Sequence, residues 1–548
     1  MCYYTHNEDV ILMAAIVYQT DKRSGITYAY ESVSFWDKDK KQSRAKRKLI
    51  GRFDKESGLI IPTDGRCKPK DEATSTPKRG PVPTLETARC FYGATYLLDA
   101  IGEKLGIALD LKQCFPNTYK QILSIAYYLI LEENNPLFRF EKWSNLHKHP
   151  YGKDISSQRS SELFASITEE DKTSFFKLQG KRRIDKEFWA YDTTTISSYS
   201  ELLRQVQYGK NKENDRLAQF NLALVFGEES NLPFYYRKLA GNIPDSKTVK
   251  NLLFDLNVLG FSKTKLVMDR GFYSEENING LLKGHVKFLM AAKISLTFIR
   301  KELDAIYDGF RSFEHFNEKY ELYAQTVQSE WQYTQARPYK GDTLKDTKRM
   351  YIHLYYNLDK ATEDEKSFDR KLLAMRSELK SGKRIPEHEK QYAKYFEVKT
   401  TPKRGTTVTV KEAAVKEAKR YYGFFALISN EKMDAITALE IYRNKDVVEK
   451  AFGNLKERLN MRRALVSSEQ SLDGKLFSEF LALIYLSYIK KQMQVYDLFK
   501  TYTLQGVFDK LDVIECFENP GQELRVGEVL EKQKTLYTDL GVAPPASL

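Results

Sequence analysis

Apolar and polar positions divide the chain into stretches of different character. Residues 26–36 (ITYAYESVSFW) and 49–53 are rich in β-branched and aromatic residues with alternating polarity, which predicts strands. Pro81 and Pro83 close this first section. From 85 to 131 apolar residues recur at helical spacing, and 156–176 (SSQRSSELFASITEEDKTSFF) joins Ser-rich caps to amphipathic periodicity. Residues 86–185 therefore read as a helical module. It is either a packing bundle, the favoured reading, or a DNA reader of the helix-turn-helix kind.

From residue 186 short β-branched and aromatic runs alternate with turns. Residues 188–196, 220–226 and 234–239 predict three strands, the second bounded by Gly227 and the third by Gly241-Asn242. A helix follows, with Asp245 as its N-cap and Val249, Leu252, Leu253 and Leu256 on one face, stopped by Gly260. Residues 265–268 predict a fourth strand, a second helix begins near Ser274, and 288–294 predict a fifth strand. The order β-β-β-α-β-α-β is that of a ribonuclease H-like α/β core, a mixed sheet that needs one more helix. That helix is delayed. Residues 300–420 are rich in Lys, Glu, Arg and Tyr, with helical charge patterns such as 362–383, and read as an inserted domain. The core resumes with a strand at 422–428 and a long helix at 434–460.

This reading divides the chain into a β-rich basic N-terminal DNA-binding region (1–85), a helical DNA-binding module (86–185) and the first part of the core (186–299). An insertion domain (300–420), the second part of the core (421–490) and a C-terminal region for dimerisation or end binding (491–548) complete it. A length of 548 residues agrees, at about 150 residues per domain.

Charge changes the picture next. With 87 Lys+Arg against 74 Asp+Glu the net charge is +13, which fits a polyanionic partner without requiring one. Residues 38–48 (KDKKQSRAKRK) lie between two predicted strands, where a basic hairpin tip can follow a DNA backbone, and 68–79 add a second basic run that reads equally well as a solvated linker. Five scattered cysteines (Cys2, Cys67, Cys90, Cys114, Cys516) with no CxxC pair exclude a disulfide scaffold and a structural zinc module, and predict a reducing, cytoplasmic setting. The longest apolar stretch, 480–489, is about half a membrane span, so no membrane partner is expected.

Candidate chemistry lies in carboxylates. Asp192 falls within the first core strand (YDTTTIS), and Asp269 ends the fourth (LVMDRGF), where Gly271 lets the chain turn. Either residue alone reads as a salt-bridged structural Asp or a helix cap. In this topology, however, the two strands are neighbours, and their carboxylates can converge on one divalent ion. Along the last helix Tyr442, Lys445, Glu449, Phe452 and Lys456 share one face at spacings of 3, 4, 3 and 4, beside an apolar stripe of Ile441, Val448, Ala451, Leu455 and Leu459. Spacing alone favours an ordinary charged face with a Lys445–Glu449 pair.

Taken together, YDTTTIS, GNIPDSKTV, LVMDRGFYSEENI and IYRNKDVVEKAFGNLKERL resemble a bacterial insertion-sequence transposase of the DDE class. The similarity is greatest to the cut-and-paste branch that carries an insertion between the second Asp and the Glu. That branch has a signature of Tyr, two residues, Arg, three residues, Glu, six residues, Lys. Here Tyr442, Lys445, Glu449 and Lys456 match it with Lys in place of Arg, and Arg443 stands out of register. The separations 269 − 192 = 77 and 449 − 269 = 180 agree, and the resemblance covers about 186–490.

The resemblance implies cleavage of DNA at the element's ends and joining of the 3′-hydroxyl ends to target DNA. Two Mg²⁺ ions, replaceable by Mn²⁺, would be held by Asp192, Asp269 and Glu449, with Asp192 between both. Tyr442, Lys445 and Lys456 would grip phosphates, with Arg270 and Arg443 as further phosphate contacts. Double-stranded DNA, as terminal inverted repeats and target, and a second copy of the chain in a homodimer or larger synaptic complex are the implied partners. The insertion would manage the transferred or hairpinned strand end. There Trp331 and Tyr333 either stack on a flipped base or, the favoured reading, serve as core aromatics. His147 and His149 read as a loop detail. The rival readings are a transposase-derived DNA-binding protein without catalysis and a structure-specific nuclease on the same core.

Overall fold

The computed structural model describes residues 14–37, 41–62, 87–182, 187–212, 215–261, 264–337, 340–401, 405–464, 466 and 468–546. The chain divides into two compact units, Met1–Gly80 and Pro81–Leu548.

The first unit is an antiparallel sheet of β1 (Ala14–Thr20), β2 (Thr27–Asp37), β3 (Gln42–Phe53) and β4 (Ile60–Ile61), paired in that order. Two of its turns share one chemistry, DKRSG at 21–25 and DKESG at 54–58. In each the Asp carboxylate accepts backbone N–H groups and the Ser hydroxyl, and the Gly takes a positive φ, 70° at Gly25 and 67° at Gly58. The basic run 38–48 lies chiefly along β3 rather than at a tip: Arg44, Lys46 and Lys48 are exposed and oppose Phe35, Val33 and Glu31 on β2. Residues 38–40, the second basic run at 68–79, Pro81 and Pro83 lie outside the described residues.

The second unit begins with β5 (Ala88–Phe91), where the apolar spacing had predicted helix. Six helices follow: α1 (Gly93–Lys104), α2 (Ile107–Cys114), α3 (Tyr119–Leu131), α4 (Phe140–Ser144), α5 (Ser157–Ser166) and α6 (Glu169–Lys181). The Ser156 and Thr168 hydroxyls cap α5 and α6, and Glu169, Glu170 and Asp171 suit the positive end of the α6 dipole.

Next come β6 (Trp189–Ser198), β7 (Gln219–Gly227), β8 (Pro233–Ala240), α7 (Asp245–Val258), β9 (Lys265–Met268), α8 (Glu275–Lys283), β10 (Lys287–Ala292) and α9 (Thr297–Ile306). The anticipated element order therefore holds through β10. Residues 316–357 then form β11 (Phe316–Asn317), β12 (Leu322–Arg337) and β13 (Asp342–Asn357). After them come α10 (Leu358–Ser381), α11 (Glu389–Tyr395), β14 (Phe396–Thr401), β15 (Gly405–Val410), α12 (Glu412–Lys419) and β16 (Phe424–Ser429). The chain ends through α13 (Ala435–Asn444), α14 (Asp446–Gly453), β17 (Arg463–Ala464), α15 (Glu469–Val495), α16 (Leu504–Asp512), β18 (Glu515–Glu518), β19 (Arg525–Val526) and α17 (Glu531–Asp539).

Ten strands form one mixed sheet in the order β11-β12-β13-β16-β10-β9-β6-β7-β8, with β17 beside β6. Strands β8, β7 and β6 are antiparallel, whereas β6, β9 and β10 run parallel because α7 and α8 carry the chain back between them. This is the strand order of a ribonuclease H-like core. Residues 300–420 divide: β11, β12 and β13 extend the central sheet, while α10, α11, α12, β14 and β15 surround a core of their own built on Met375, Leu379, Tyr392, Tyr395, Phe396 and Val415.

The helical residues 93–181 share one hydrophobic core with the sheet and the C-terminal segment, from Ala94 to Val542. Helix α15 runs through it against α3, α5 and β8, and bears the apolar run 480–489, all buried. Among the described residues no helix is long and apolar enough to cross a membrane. The C-terminal segment returns to β5 as a sheet of order β19-β18-β5, which sets Cys516 opposite Cys90, both as free thiols.

Candidate active site

Parallel pairing aligns β6 with β9 at Trp189–Leu266, Ala190–Val267 and Tyr191–Met268. Asp192 and Asp269 are the residues that directly follow the last pair of this ladder, on neighbouring strands about 4.8 Å apart. Alternation puts Asp192 on the face of Phe188 and Asp269 on the face of Val267. Phe188 and Val267 share a small core with Ala435, Ala438 and Leu439 of α13. Both aspartates therefore face α13 and α14, while Trp189, Tyr191 and Met268 bury against the main core behind them.

Above this pair the expected single helix at 434–460 is broken. Asp434 caps α13 by accepting the N–H groups of Ile436 and Thr437 at 2.9 Å each. At Lys445 the backbone uses i→i+3 bonds, Lys445 N to Tyr442 O at 3.3 Å and Val448 N to Lys445 O at 2.9 Å, and Asn454–Arg458 widens into a π turn. The two halves serve different strands: α13 packs on β9, β10, β12 and β13, and α14 on β6 and β7. The joint thus lies over the boundary of β9 and β6, where the aspartates are.

Two signature residues reach that boundary, and a third, Glu449, bonds one of them. Tyr442 donates its hydroxyl to Asp269 Oδ1 at 2.6 Å. Lys445, only 7% exposed, bonds Glu449 Oε1 at 3.4 Å, and its charge acts on both Asp192 and Asp269. Glu449 is exposed. Burial lifts the Asp192 carboxyl from 3.8 to about 6, against the pull of Lys212, the Thr193 N–H and Lys445, and with a push from Asp245. Burial acts in the same sense on Asp269. There the Tyr442 hydroxyl, the Arg270 N–H and the charges of Lys445 and Arg270 together outweigh it and hold the carboxyl below its usual range. Burial, then the bond to Asp269, pushes the Tyr442 hydroxyl up.

The donor set consists of carboxylate oxygens without His or Cys, which fits a hard divalent ion. Among the described residues, however, no group of three His, Cys, Asp or Glu side chains is gathered closely enough to hold a metal. Asp192 and Asp269 follow adjacent positions of the β6–β9 ladder and both feel the charge of Lys445, which bonds Glu449.

The other sequence candidates separate. Arg270 is exposed directly after Asp269. Arg443 lies over the Tyr320 ring at 4.6 Å and lines an open cavity of about 570 Å³ with Lys450, Lys490 and Lys491, whereas Lys445 is the residue at the joint. Lys456 is half-buried in the π turn. Trp331 and Tyr333 are 7% and 5% exposed in β12, and the Trp331 indole donates to Asn279 Oδ1 at 2.8 Å, so they are core aromatics and not a stacking platform. His147 and His149 lie in the connection between α4 and α5 and are buried there: His147 bonds Trp143 O and Asp512, and His149 bonds Ser124.

Two residues that the sequence did not assign to the site complete its surroundings. Asp245 is not the cap of α7 but its first residue, following Pro244. Its carboxylate accepts the Thr193 hydroxyl at 2.5 Å and pairs with Lys212 Nζ at 3.2 Å. Lys212 in turn donates to Thr193 O at 2.7 Å and Thr193 Oγ1 at 2.9 Å. Asp245 sits within the GNIPDSKTV turn, but nothing in the 199–218 connection marks Lys212.

Among solved structures, the piggyBac transposase synaptic complex with hairpin DNA is similar at 10% sequence identity and a TM-score of 0.34, covering 72% of this chain and 69% of that one. No curated protein matches the chain. The family model described as a transposase DDE domain matches residues 183–485. That span is more than half of the chain and contains both aspartates, the joint above them and Glu449, and on it the protein belongs to the transposase DDE domain family.

Proposed function

We propose that this transposase cuts DNA at the terminal inverted repeats of an insertion sequence and joins the freed 3′-hydroxyl ends to target DNA. What supports the reading is the parallel register of β6 and β9, whose last pair Tyr191–Met268 immediately precedes Asp192 and Asp269, inside the matched span. Water attacks the phosphodiester first, and the 3′-hydroxyl so released attacks the second. Mg²⁺, or Mn²⁺ in its place, would supply activation of the attacking oxygen and charge neutralisation on the phosphate. Asp192, Asp269 and Glu449 are the residues that would hold the two ions.

The remaining residues orient and neutralise. Tyr442 holds Asp269 in one orientation through its 2.6 Å bond. Lys212, fixed by Asp245 and Thr193, and Lys445 supply positive charge around Asp192. Lys445 and Lys456 meet the scissile phosphate, Lys445 as a point charge where the family signature has the two-pronged Arg. Arg270 and Arg443 contribute to the DNA path farther out. The exposed Arg44, Lys46 and Lys48 of β3 support backbone binding by the N-terminal unit, and a second copy of the chain completes a synaptic complex.

Asp192→Asn, Asp269→Asn and Glu449→Gln are each expected to abolish Mg²⁺-dependent cleavage and strand transfer on an end substrate while leaving DNA binding intact. Retained cleavage in any one of them removes that residue from the catalytic set.

A further inference from the structure

The sheet β19-β18-β5 joins the beginning of the second unit to its end, and Cys90 and Cys516 stand directly opposite each other at that seam, outside the span 183–485. The backbone fixes which kind of pair they make. Phe91 turns its hydrogen bonds away from β18: its N–H donates to Leu146 O at 2.8 Å and its carbonyl accepts the Lys148 N–H at 2.9 Å. The Glu515 carbonyl turns away from β5 and accepts the Gly527 N–H at 2.8 Å. Alternation therefore directs the backbone groups of Cys90 and Cys516 at one another, and two residues on the Tyr92 N–H reaches Ile514 O at 2.8 Å. A hydrogen-bonded pair of an antiparallel ladder sets its Cα atoms about 5.5 Å apart with both side chains on one face, within the roughly 4.4–6.8 Å that a disulfide spans.

We propose that Cys90 and Cys516 are a modification site: a small-molecule disulfide of the glutathione class oxidises them to a cross-strand disulfide that staples the beginning of the second unit to its end. Access orders the two steps. Cys516 is 2% exposed, flanked by Cys90 on one strand and Val526 on the other, whereas Cys90 is half-buried and meets the reagent first. The Cys90 thiolate attacks one sulfur of the reagent, whose S–S bond breaks as a mixed disulfide forms and one reagent thiolate leaves. The Cys516 thiolate then attacks the Cys90 sulfur, and the second reagent thiolate leaves. Two electrons pass from the protein to the reagent, and the two cysteine protons end on the two reagent thiols. Burial raises both cysteine thiols, Cys516 to about 11, so the exchange is slow and the pair stays reduced where small thiols are in excess. The ring that the bond closes contains the whole span 183–485, and β5, only four residues long, can no longer peel from β18.

The test is prolonged oxidation of the full, folded chain with glutathione disulfide, then alkylation of the remaining thiols and peptide mapping by mass spectrometry. The expected product is a pair of peptides joined through Cys90 and Cys516 and separated again by dithiothreitol. Cys90 and Cys516 both alkylated, or Cys90 carrying glutathione while Cys516 is alkylated, overturns the proposal, and so does linkage of either residue to another cysteine. The staple has its own readout. The oxidised chain is expected to melt on the order of several degrees above the reduced chain, and the difference is expected to vanish in Cys90→Ser. A joined pair without that shift overturns the staple. The mapping uses the unmodified chain, so it decides the matter if Cys90→Ser does not fold.

Discussion

Asp192→Asn is expected to make the metal-free chain more stable at neutral pH while destroying its activity. Burial lifts the Asp192 carboxyl from 3.8 to about 6, after the attraction of Lys212 and Lys445 has already been counted. An acid whose value is raised on folding binds more protons folded than unfolded between the two values, so stability falls as pH rises from about 4 through about 6, and the cost is complete above that. A rise of about two pH units at about 1.36 kcal/mol each makes that cost about 3 kcal/mol. A neutral amide of the same shape escapes it and can still accept the Thr193 N–H, which reaches Oδ1 at 2.7 Å. In EDTA, the melting temperature of Asp192→Asn should exceed that of the unmodified chain by on the order of a few degrees at pH 8. The difference should shrink toward zero near pH 4. Adding Mn²⁺ should stabilise the unmodified chain and leave the variant unmoved. A variant as stable as, or less stable than, the unmodified chain at pH 8 refutes the argument that this aspartate is held ionised at a cost.

Two further outcomes follow from named side chains. Tyr442→Phe deletes the 2.6 Å bond that holds the Asp269 carboxyl low, a charge-assisted bond worth roughly 1.5–3 kcal/mol, so cleavage should slow by about tenfold or more and the acid limb of its pH–rate profile should move to higher pH; an unmoved limb contradicts the assignment. Replacing Arg44, Lys46 and Lys48 together by Ala should flatten the salt dependence of DNA binding by about 0.9 in log–log slope for each phosphate no longer neutralised, measured by fluorescence anisotropy.

Local chemistry carried the core strands and the helix caps. Strand β7 is buried along its whole length, and its apolar run at 222–226 could be read without knowing its neighbours. Ser274 and Ser156 cap α8 and α5 from their own sequence neighbourhoods. What resisted reading depended on distant partners. Strand β5 is four residues long and exists because β18, more than 400 residues later, pairs with it. Strand β13 carries a long exposed stretch toward its turn with β12, so its charge pattern looked like part of a separate domain although its inner half is buried in the central sheet.

Residue types and spacing by themselves determined the order of the core elements, the two aspartates on neighbouring strands, and a Tyr-Lys-Glu-Lys pattern on the closing helix, because apolar periodicity and turn chemistry act over a few residues. The break of that helix at Lys445, the turning of Arg443 toward Tyr320, and the arrival of Lys212 and Asp245 around Thr193 belong to the tertiary structure. Nothing local breaks a helix at 445; the break lets α13 cover β9 and β10 while α14 covers β6 and β7. Asp192 and Lys212 are separated by twenty residues of chain and Asp269 and Tyr442 by 173, so only folding about one sheet could bring their charges together, and that enforced proximity sets the electrostatics of the site.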